Sequence, residues 1–358
     1  MDKPKKKLSA KAKTLITIGV VLGVLLLVVL IGFLILHGYI SKIQYDPGTQ
    51  SIVDSIPEDD DGESSQPDSP ASDINDLESK VESNYNNNKI PLAYDKDVFN
   101  IMLIGSDTRI SGHWSRSDTM MLVSINKKTH KIIVTSLLRD IYVQIPEINK
   151  SNRLNAATAF GGPALLLKTV EENFRVKVDR YMAVDFFSFI DIIDQLGGIE
   201  LELTQAEVDV ANNYIHEINR LTNKPKDDGL LTAPGLQNVT GKQALGYARN
   251  RYSGGGGDFG RTNRQRIVLE KMFDKVKGQS ITQLDKLMNT FLPKVKTNLE
   301  TGELYSLVLG LPEYTGYEID SWAVPMSGAY KYMRVNGASV LGIDFDKCIA
   351  EMHKRIYG

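Results

Sequence analysis

Residues 98–140 read VFNIMLIGSDTRISGHWSRSDTMMLVSINKKTHKIIVTSLLRD. Val98–Ile104 is a short apolar run that stops at Gly105, as a buried strand should. Asp118–Asn126 and Lys131–Leu138 are β-rich runs, and Lys127-Lys128-Thr129-His130 between them predicts a hairpin. The charged residues of this stretch fall at strand ends. Asp107 and Arg109 follow the first run, Arg116 and Asp118 open the second, and Arg139 and Asp140 close the third. Loops at strand ends are where open sheets build their sites.

Downstream, Arg180–Asp185, Ile199–Leu203 and Glu318–Val324 read as further strands. Helical spacing marks Pro163–Phe174, Phe186–Leu196, Gln243–Arg249, Arg264–Lys277, Ile281–Val295 and Phe345–Ile356. Gly197-Gly198 closes the second of these. Helices interleaved with strands, some of them in hairpins, predict an α/β fold: a central mixed β-sheet flanked by helices on both faces.

Upstream, Leu15–Leu36 is uncharged over 22 residues, enough to cross a hydrocarbon core of about 30 Å. The run is too long for a signal peptide, and no cleavage site follows it. Six lysines precede it, giving residues 1–40 a balance of +5. The lysine excess puts the N-terminus inside and the bulk of the chain outside. Residues 41–95 balance at −10 and are rich in Pro, Ser, Asn and Asp. The expected organisation is a cytoplasmic tail (1–14), one transmembrane helix (15–36), an acidic disordered stalk (37–95) and an extracellular domain (96–358).

The 358 residues carry 42 Lys+Arg against 44 Asp+Glu, and a single cysteine, Cys348. One cysteine excludes an internal disulfide and a C-x-x-C motif. Five histidines form no H-E-x-x-H, so metal chemistry must rest on carboxylates, which suit hard ions such as magnesium. The outer domain is only slightly basic and has no recognisable nucleic-acid module, so no nucleic-acid partner is expected. Its arginines cluster, however. Arg249, Arg251, Asp258, Arg261, Arg264 and Arg266 surround Gly254–Gly257, and no G-K-[ST] follows to make a Walker loop. Arg261 and Gln265 sit four apart at a helix start and can reach one ligand. Guanidinium forks suit bidentate phosphate binding, and carboxylates free to hold a divalent ion complete a pyrophosphate site.

The chain resembles the LytR-CpsA-Psr family. The matching residues are Asn100–Arg109, Ser115–Thr119, Ser136–Asp140, Lys150–Ala156, Asp194–Gly198, Ala248–Tyr252 and Asp258–Gln265. The resemblance implies an extracytoplasmic phosphotransferase that moves an anionic glycopolymer, of teichoic acid or capsule type, from polyprenyl pyrophosphate to peptidoglycan. It implies Mg²⁺ (or Mn²⁺) at Asp107 and Asp118, with pyrophosphate on Arg109, Arg116, Arg139, Arg249, Arg251, Arg261 and Gln265, of which Arg116, Arg139, Arg249 and Arg251 are the catalytic candidates. Asp140 and Asp258 match or adjoin motif positions without an assigned role. It also implies a lipid tunnel, for which Ala183–Ile193 and Leu165–Val170 are candidate linings. Phe186, Phe187 and Phe189 are too close in sequence for all three to face it. A pyrophosphatase would use the same residues with water as acceptor, and a non-enzymatic envelope-binding regulator is a third reading.

Overall fold

The structure, a computed structural model, describes residues 37–53, 55–56, 67–87, 89–106, 113–254, 256–277 and 281–358. From the N-terminal side, β1 (Gln44–Tyr45) and α1 (Ala71–Asn87) precede β2 (Val98–Ser106), β3 (Ser117–Asn126) and β4 (Lys131–Leu137). The β5–β6 hairpin (Tyr142–Ile145, Lys150–Arg153), α2 (Ala156–Phe174), β7 (Arg180–Asp185), α3 (Phe186–Gln195), β8 (Ile199–Leu203) and α4 (Gln205–Leu221) follow. Then come β9 (Gly235–Val239), α5 (Gly241–Arg249), α6 (Gly257–Lys277), α7 (Ile281–Phe291), β10 (Lys296–Thr297) and α8 (Thr301–Tyr314). Last are β11 (Glu318–Val324), the β12–β13 hairpin (Tyr330–Val335, Ala338–Ile343) and α9 (Phe345–Tyr357).

Seven strands form one sheet in the order β1-β10-β7-β2-β3-β4-β11. β3 runs antiparallel to both β2 and β4, while β7 and β11 pair in parallel with β2 and β4. The sheet is therefore mixed, as its strand pattern predicts. Side chains alternate across it. Met102, Met120, Leu122 and Tyr181 point to the side where Phe174 of α2 and Ile349 and Met352 of α9 complete the main core. Leu103, Met121, Met182 and Val184 point the other way, towards α3, α5 and α6, and line a cavity.

Local chemistry sets the helix starts that matter here. Asp185 caps α3, its carboxylate accepting from the Ser188 amide at 2.7 Å. Thr204 and Glu207 form a capping box at the head of α4. Gly241 opens α5 where a Cβ would lie 2.1 Å from the Ile190 carbonyl oxygen. Only glycine lets α5 approach α3 that closely.

Three expectations need correction. The segment 37–95 is not a stalk where it is described. Residues 71–87 form α1, with Leu77 and Val81 buried in the main core. Glu78 accepts from the Tyr142 hydroxyl at 2.6 Å, and Asn84 donates to the Asn173 carbonyl at 3.1 Å. Ile40 is buried against Leu299 and Leu304, and β1 pairs with β10. Averaged acidity concealed an apolar stripe at Ile74, Leu77 and Val81, spaced three and four apart. The acidic run Glu58–Asp61 lies outside the described residues. Second, a helical turn precedes the expected helix: α2 begins at Ala156, breaks at Gly161 and Gly162, and Pro163 then opens the expected segment to Phe174. Third, Leu165, Leu166 and Val170 are core residues and line no tunnel. The expected anchor, 15–36, also falls outside the described residues, among which no helix is long and apolar enough to cross a membrane.

Replacing Leu77 with alanine in the full-length protein is expected to cost about 2–5 kcal/mol, the usual price of deleting a buried leucine. Urea unfolding reads this directly, and an unchanged midpoint would mean that α1 is not part of the folding unit.

Candidate active site

Asp258 stands in the first turn of α6 and is 8% exposed. Three guanidiniums converge on it from three segments. Arg139, just after β4, brings Nε to 3.4 Å, Arg251, after α5, brings Nε to 3.0 Å, and Arg261, one turn on, brings Nη2 to 3.2 Å. Arg139 also donates through Nη1 to Asp118 at the start of β3 (3.0 Å) and lies 3.4 Å from Asp140. Arg153 of β6 stands 3.7 Å from the same Asp140 oxygen. Arg249, at the end of α5, pairs with Glu217 of α4 at 3.0 Å. Its guanidinium also lies over the rings of Tyr214 and Phe186, 4.7 and 5.0 Å from their centroids.

Arg139 Nε lies 3.4 Å from an oxygen of each of Asp140 and Asp258, which brings the two acids side by side. Burial pushes Asp140 well above the ordinary carboxylate range, and the hydrogen bond to Asp258 adds to this against the pull of Arg139. Burial works the same way on Asp258. There it is outweighed by the hydrogen bond from Asp140 and by Arg261, Arg139 and Arg251, so the carboxyl stays ionised. Among the charged residues that line the cavity beneath the sheet, four guanidiniums (Arg139, Arg249, Arg251 and Arg261) face two carboxylates (Asp118 and Asp185), a formal surplus of two positive charges. Burial lowers the pKa of Arg261, so this cation is held where it gains most from an added anion.

The cluster forms the polar mouth of a cavity of about 360 Å³. Asp118, Arg139, Arg249, Arg251, Arg261 and Gln265 line its charged end, so the expected pairing of Arg261 with Gln265 is realised. Asp185, Thr119 and Tyr214 also line it; the rest of the wall is apolar and comes from the sheet face, α3, α5, α6 and Phe291. Phe186 and Phe189 line it, whereas Phe187 is 49% exposed, in keeping with their helical spacing. Val184 and Ile192 line it too, so Ala183–Ile193 supplies part of the wall. Gly105 is needed at its rim, because a Cβ there would lie 2.9 Å from that of Thr119.

Other sequence candidates lie elsewhere. Arg116 is half-buried ahead of β3 and is not among the residues lining the cavity. Asp107 and Arg109 lie outside the described residues. Arg264 is a structural residue. It binds Glu207 at 2.9 Å and the carbonyls of Asn250 and Ser253, fixing the loop that carries Arg251. Sequence reasoning passed over Tyr214 and Glu217, although Thr204-x-x-Glu207 was a signal for the helix that holds them.

A family model, the LytR_cpsA_psr family, matches residues 65–355. The chain belongs to this family. Among curated relatives, the polyisoprenyl-teichoic acid--peptidoglycan teichoic acid transferase TagU of Bacillus licheniformis is 32% identical over 241 residues, 66% of this chain and 72% of that protein. The Bacillus subtilis TagU is 31% identical over 245 residues, 66% and 73% of the two chains. Biofilm regulatory protein A of Streptococcus mutans is 33% identical over 218 residues, 58% of this chain and about half (51%) of that protein. Among solved structures, TagT bound to LI-WTA superposes with a TM-score of 0.57 at 26% identity, covering 74% of this chain and 92% of that one. Protein gbs0355 of Streptococcus agalactiae gives 0.59 at 28% identity, covering 73% and 86%.

Their surroundings push the two acids in opposite directions, Asp140 up and Asp258 down. Asp140→Asn, which keeps a hydrogen-bond donor towards Asp258, is expected to fold normally. Asp258→Asn strips the counter-charge from three buried or half-buried guanidiniums and is expected to cost about 3–5 kcal/mol. Because its folded pKa is raised, Asp140 favours the folded state below the ordinary value of 3.8, and this contribution is lost as pH rises through the raised value. Denaturation across that window should show the slope in wild type and lose it in Asp140→Asn.

Proposed function

We propose that this protein transfers an anionic glycopolymer, of teichoic acid or capsule type, from a polyprenyl-pyrophosphate carrier to peptidoglycan. The observation that carries this reading is the join between an apolar cavity and a mouth with two surplus positive charges. A pyrophosphate diester carries two negative charges, and its prenyl chain needs an apolar channel. The family membership and the transferase names of its relatives support the class of reaction.

In this reading Arg139, Arg249, Arg251 and Arg261 hold the pyrophosphate by charge-assisted, bidentate contacts. A peptidoglycan hydroxyl attacks the sugar-proximal phosphorus. A new P–O bond forms, the bond to the bridging oxygen breaks, and its electron pair leaves with polyprenyl phosphate. The fixed guanidiniums stabilise the charge gathering on that leaving group, the main electrostatic task in phosphoryl transfer. The apolar wall keeps water from the prenyl side.

A divalent cation, Mg²⁺ or Mn²⁺, belongs to the proposal. Among the described residues no three acidic, histidine or cysteine side chains cluster as a ready-made metal cage. Two carboxylates line the cavity: Asp185, which is engaged in capping α3, and the partly exposed Asp118 at the mouth, the better placed hard oxygen donor. That fits magnesium, which takes one or two carboxylates and completes its shell with phosphate oxygens and water. Asp118, with Asp107 from outside the described residues, would hold it. When bound it supplies further neutralisation of the pyrophosphate. Burial pushes Asp140 towards its neutral form, and Asp258 is buried among three guanidiniums where Asp118 meets one, so neither is assigned as a ligand.

We also place the catalytic domain outside the cell membrane, tethered through 15–36 with the lysine-rich tail in the cytoplasm. A reporter fused after Gly358 that works only outside should be active, and activity confined to the cytoplasm would overturn this orientation. In a transfer assay with lipid-linked glycopolymer, Arg249→Ala should lose about 1.5–3 kcal/mol of stabilisation, roughly tenfold to a hundredfold in rate. Arg249→Lys should not restore it, since a point charge cannot replace the planar fork. Chelation of wild type should mimic Asp118→Asn, whose loss should be partly recovered at high Mg²⁺. Transfer that survives thorough chelation would remove the metal from the mechanism, and release of glycopolymer to water alone would make the protein a pyrophosphatase.

A further inference from the structure

The β12–β13 hairpin comes from the C-terminal third, beyond the sequence motifs, yet it is built against the acid pair. The Leu341 amide donates to the Asp140 carbonyl at 2.8 Å, and Leu341 stands opposite Tyr332 in the hairpin. Strand alternation puts Tyr330 and Tyr332 on one face and Lys331, which pairs with Asp73 at 2.9 Å, on the other. Tyr330 packs on Phe259, the residue after Asp258, with ring centroids 4.8 Å apart. Tyr332 meets Tyr330 edge-on at 5.5 Å. Three aromatic rings thus run outward in series from the Asp258 turn. The outermost, Tyr332, is 58% exposed although its backing is fixed.

An aromatic ring left exposed but held rigidly beside a charged site is a recognition surface more than a packing residue. A pyranose ring has an apolar C–H face that stacks on such a ring and equatorial hydroxyls that remain free to reach polar groups. A groove of about 1040 Å³ runs between α1 and the hairpin face that carries Lys331 and Met333, so Tyr332 does not line it and stands apart on the opposite face. The lipid cavity does not include Tyr330 or Tyr332, so the two surfaces divide the work between two substrates.

We infer that Tyr332, backed by Tyr330 and Phe259, is the stacking platform for the acceptor, a β-linked N-acetylhexosamine strand of peptidoglycan type, and presents its hydroxyl to the arginine–carboxylate cluster. This rests on the transfer reading above and names the acceptor side of the same site. Tyr332 is an acceptor-binding residue and takes no part in holding the pyrophosphate.

The test uses the full-length protein with soluble peptidoglycan glycan fragments as acceptor and a short-chain polyprenyl-pyrophosphate-linked glycan as donor probe. Tyr332→Ala is expected to raise the acceptor KM about fivefold to tenfold, in line with loss of one ring contact. The Kd for the donor probe should stay within about twofold of wild type. Tyr332→Phe and Tyr332→Trp, which keep a ring, should hold KM near the wild-type value. An unchanged acceptor KM in a folded Tyr332→Ala protein would overturn the inference while leaving the transfer reading intact. If wild type neither bound the donor probe nor transferred glycan, the transfer reading itself would fail. The platform would then be judged by titrating the glycan fragments alone. Binding lost in Tyr332→Ala supports it, and no binding to wild type sinks it.

Discussion

One buried carboxylate, Asp258, organises the site. It draws Arg139, Arg251 and Arg261 into one place from the end of β4, the loop after α5 and the first turn of α6. Like charges so close would repel without it. With Asp140 beside it pushed by burial towards its neutral form, Asp258 offsets only part of that charge. The remainder is what an incoming anion meets. The same contacts tie the sheet to the helical layer, so the stability of the domain and its affinity for anions depend on one group. Burial makes this arrangement strong, since the guanidiniums act in surroundings where charge is poorly screened.

The sheet separates two tasks by simple alternation. Met102, Met120 and Leu122 build the core with α2 and α9, and Leu103, Gly105 and Met121 face the cavity under α3, α5 and α6. A rigid core on one side lets the other side remain hollow. Gly241 and Gly105 are small costs of this plan, placed where the cavity wall and rim leave no room for a side chain. The hairpin of the C-terminal third extends the plan to a second surface, anchored through the Asp140 carbonyl.

Much of this was legible in the chain. Strands whose two faces are both covered read as apolar runs, so β2, β3, β4, β7, β8 and β11 stood out, and the charged residues at their ends were the right ones to ask about. Short motifs located Arg139, Arg249, Arg251, Arg261 and Gln265, all of which line the cavity mouth. The helix α1 was hidden because a strongly acidic neighbourhood dilutes an apolar stripe of only a few residues. Tyr214 and Glu217 were hidden because nothing local to them marks a site; their role arises only when Arg249 lies across them.

By itself, then, the sequence determined the mixed sheet, the family and the identity of most arginines at the cavity mouth, because periodicity and motif spacing are properties of neighbours along the chain. Which arginines share a counter-ion, which acid is pushed towards its neutral form and which helix covers the cavity were decided only by tertiary structure. Charge interactions depend on distance and burial, and Arg139 and Asp258, 3.4 Å apart in space, are 119 residues apart in the chain. No local pattern encodes that contact. The placement of Tyr332 beside Asp140 has the same origin, a hairpin folded back across the sheet's end by a single backbone hydrogen bond from Leu341.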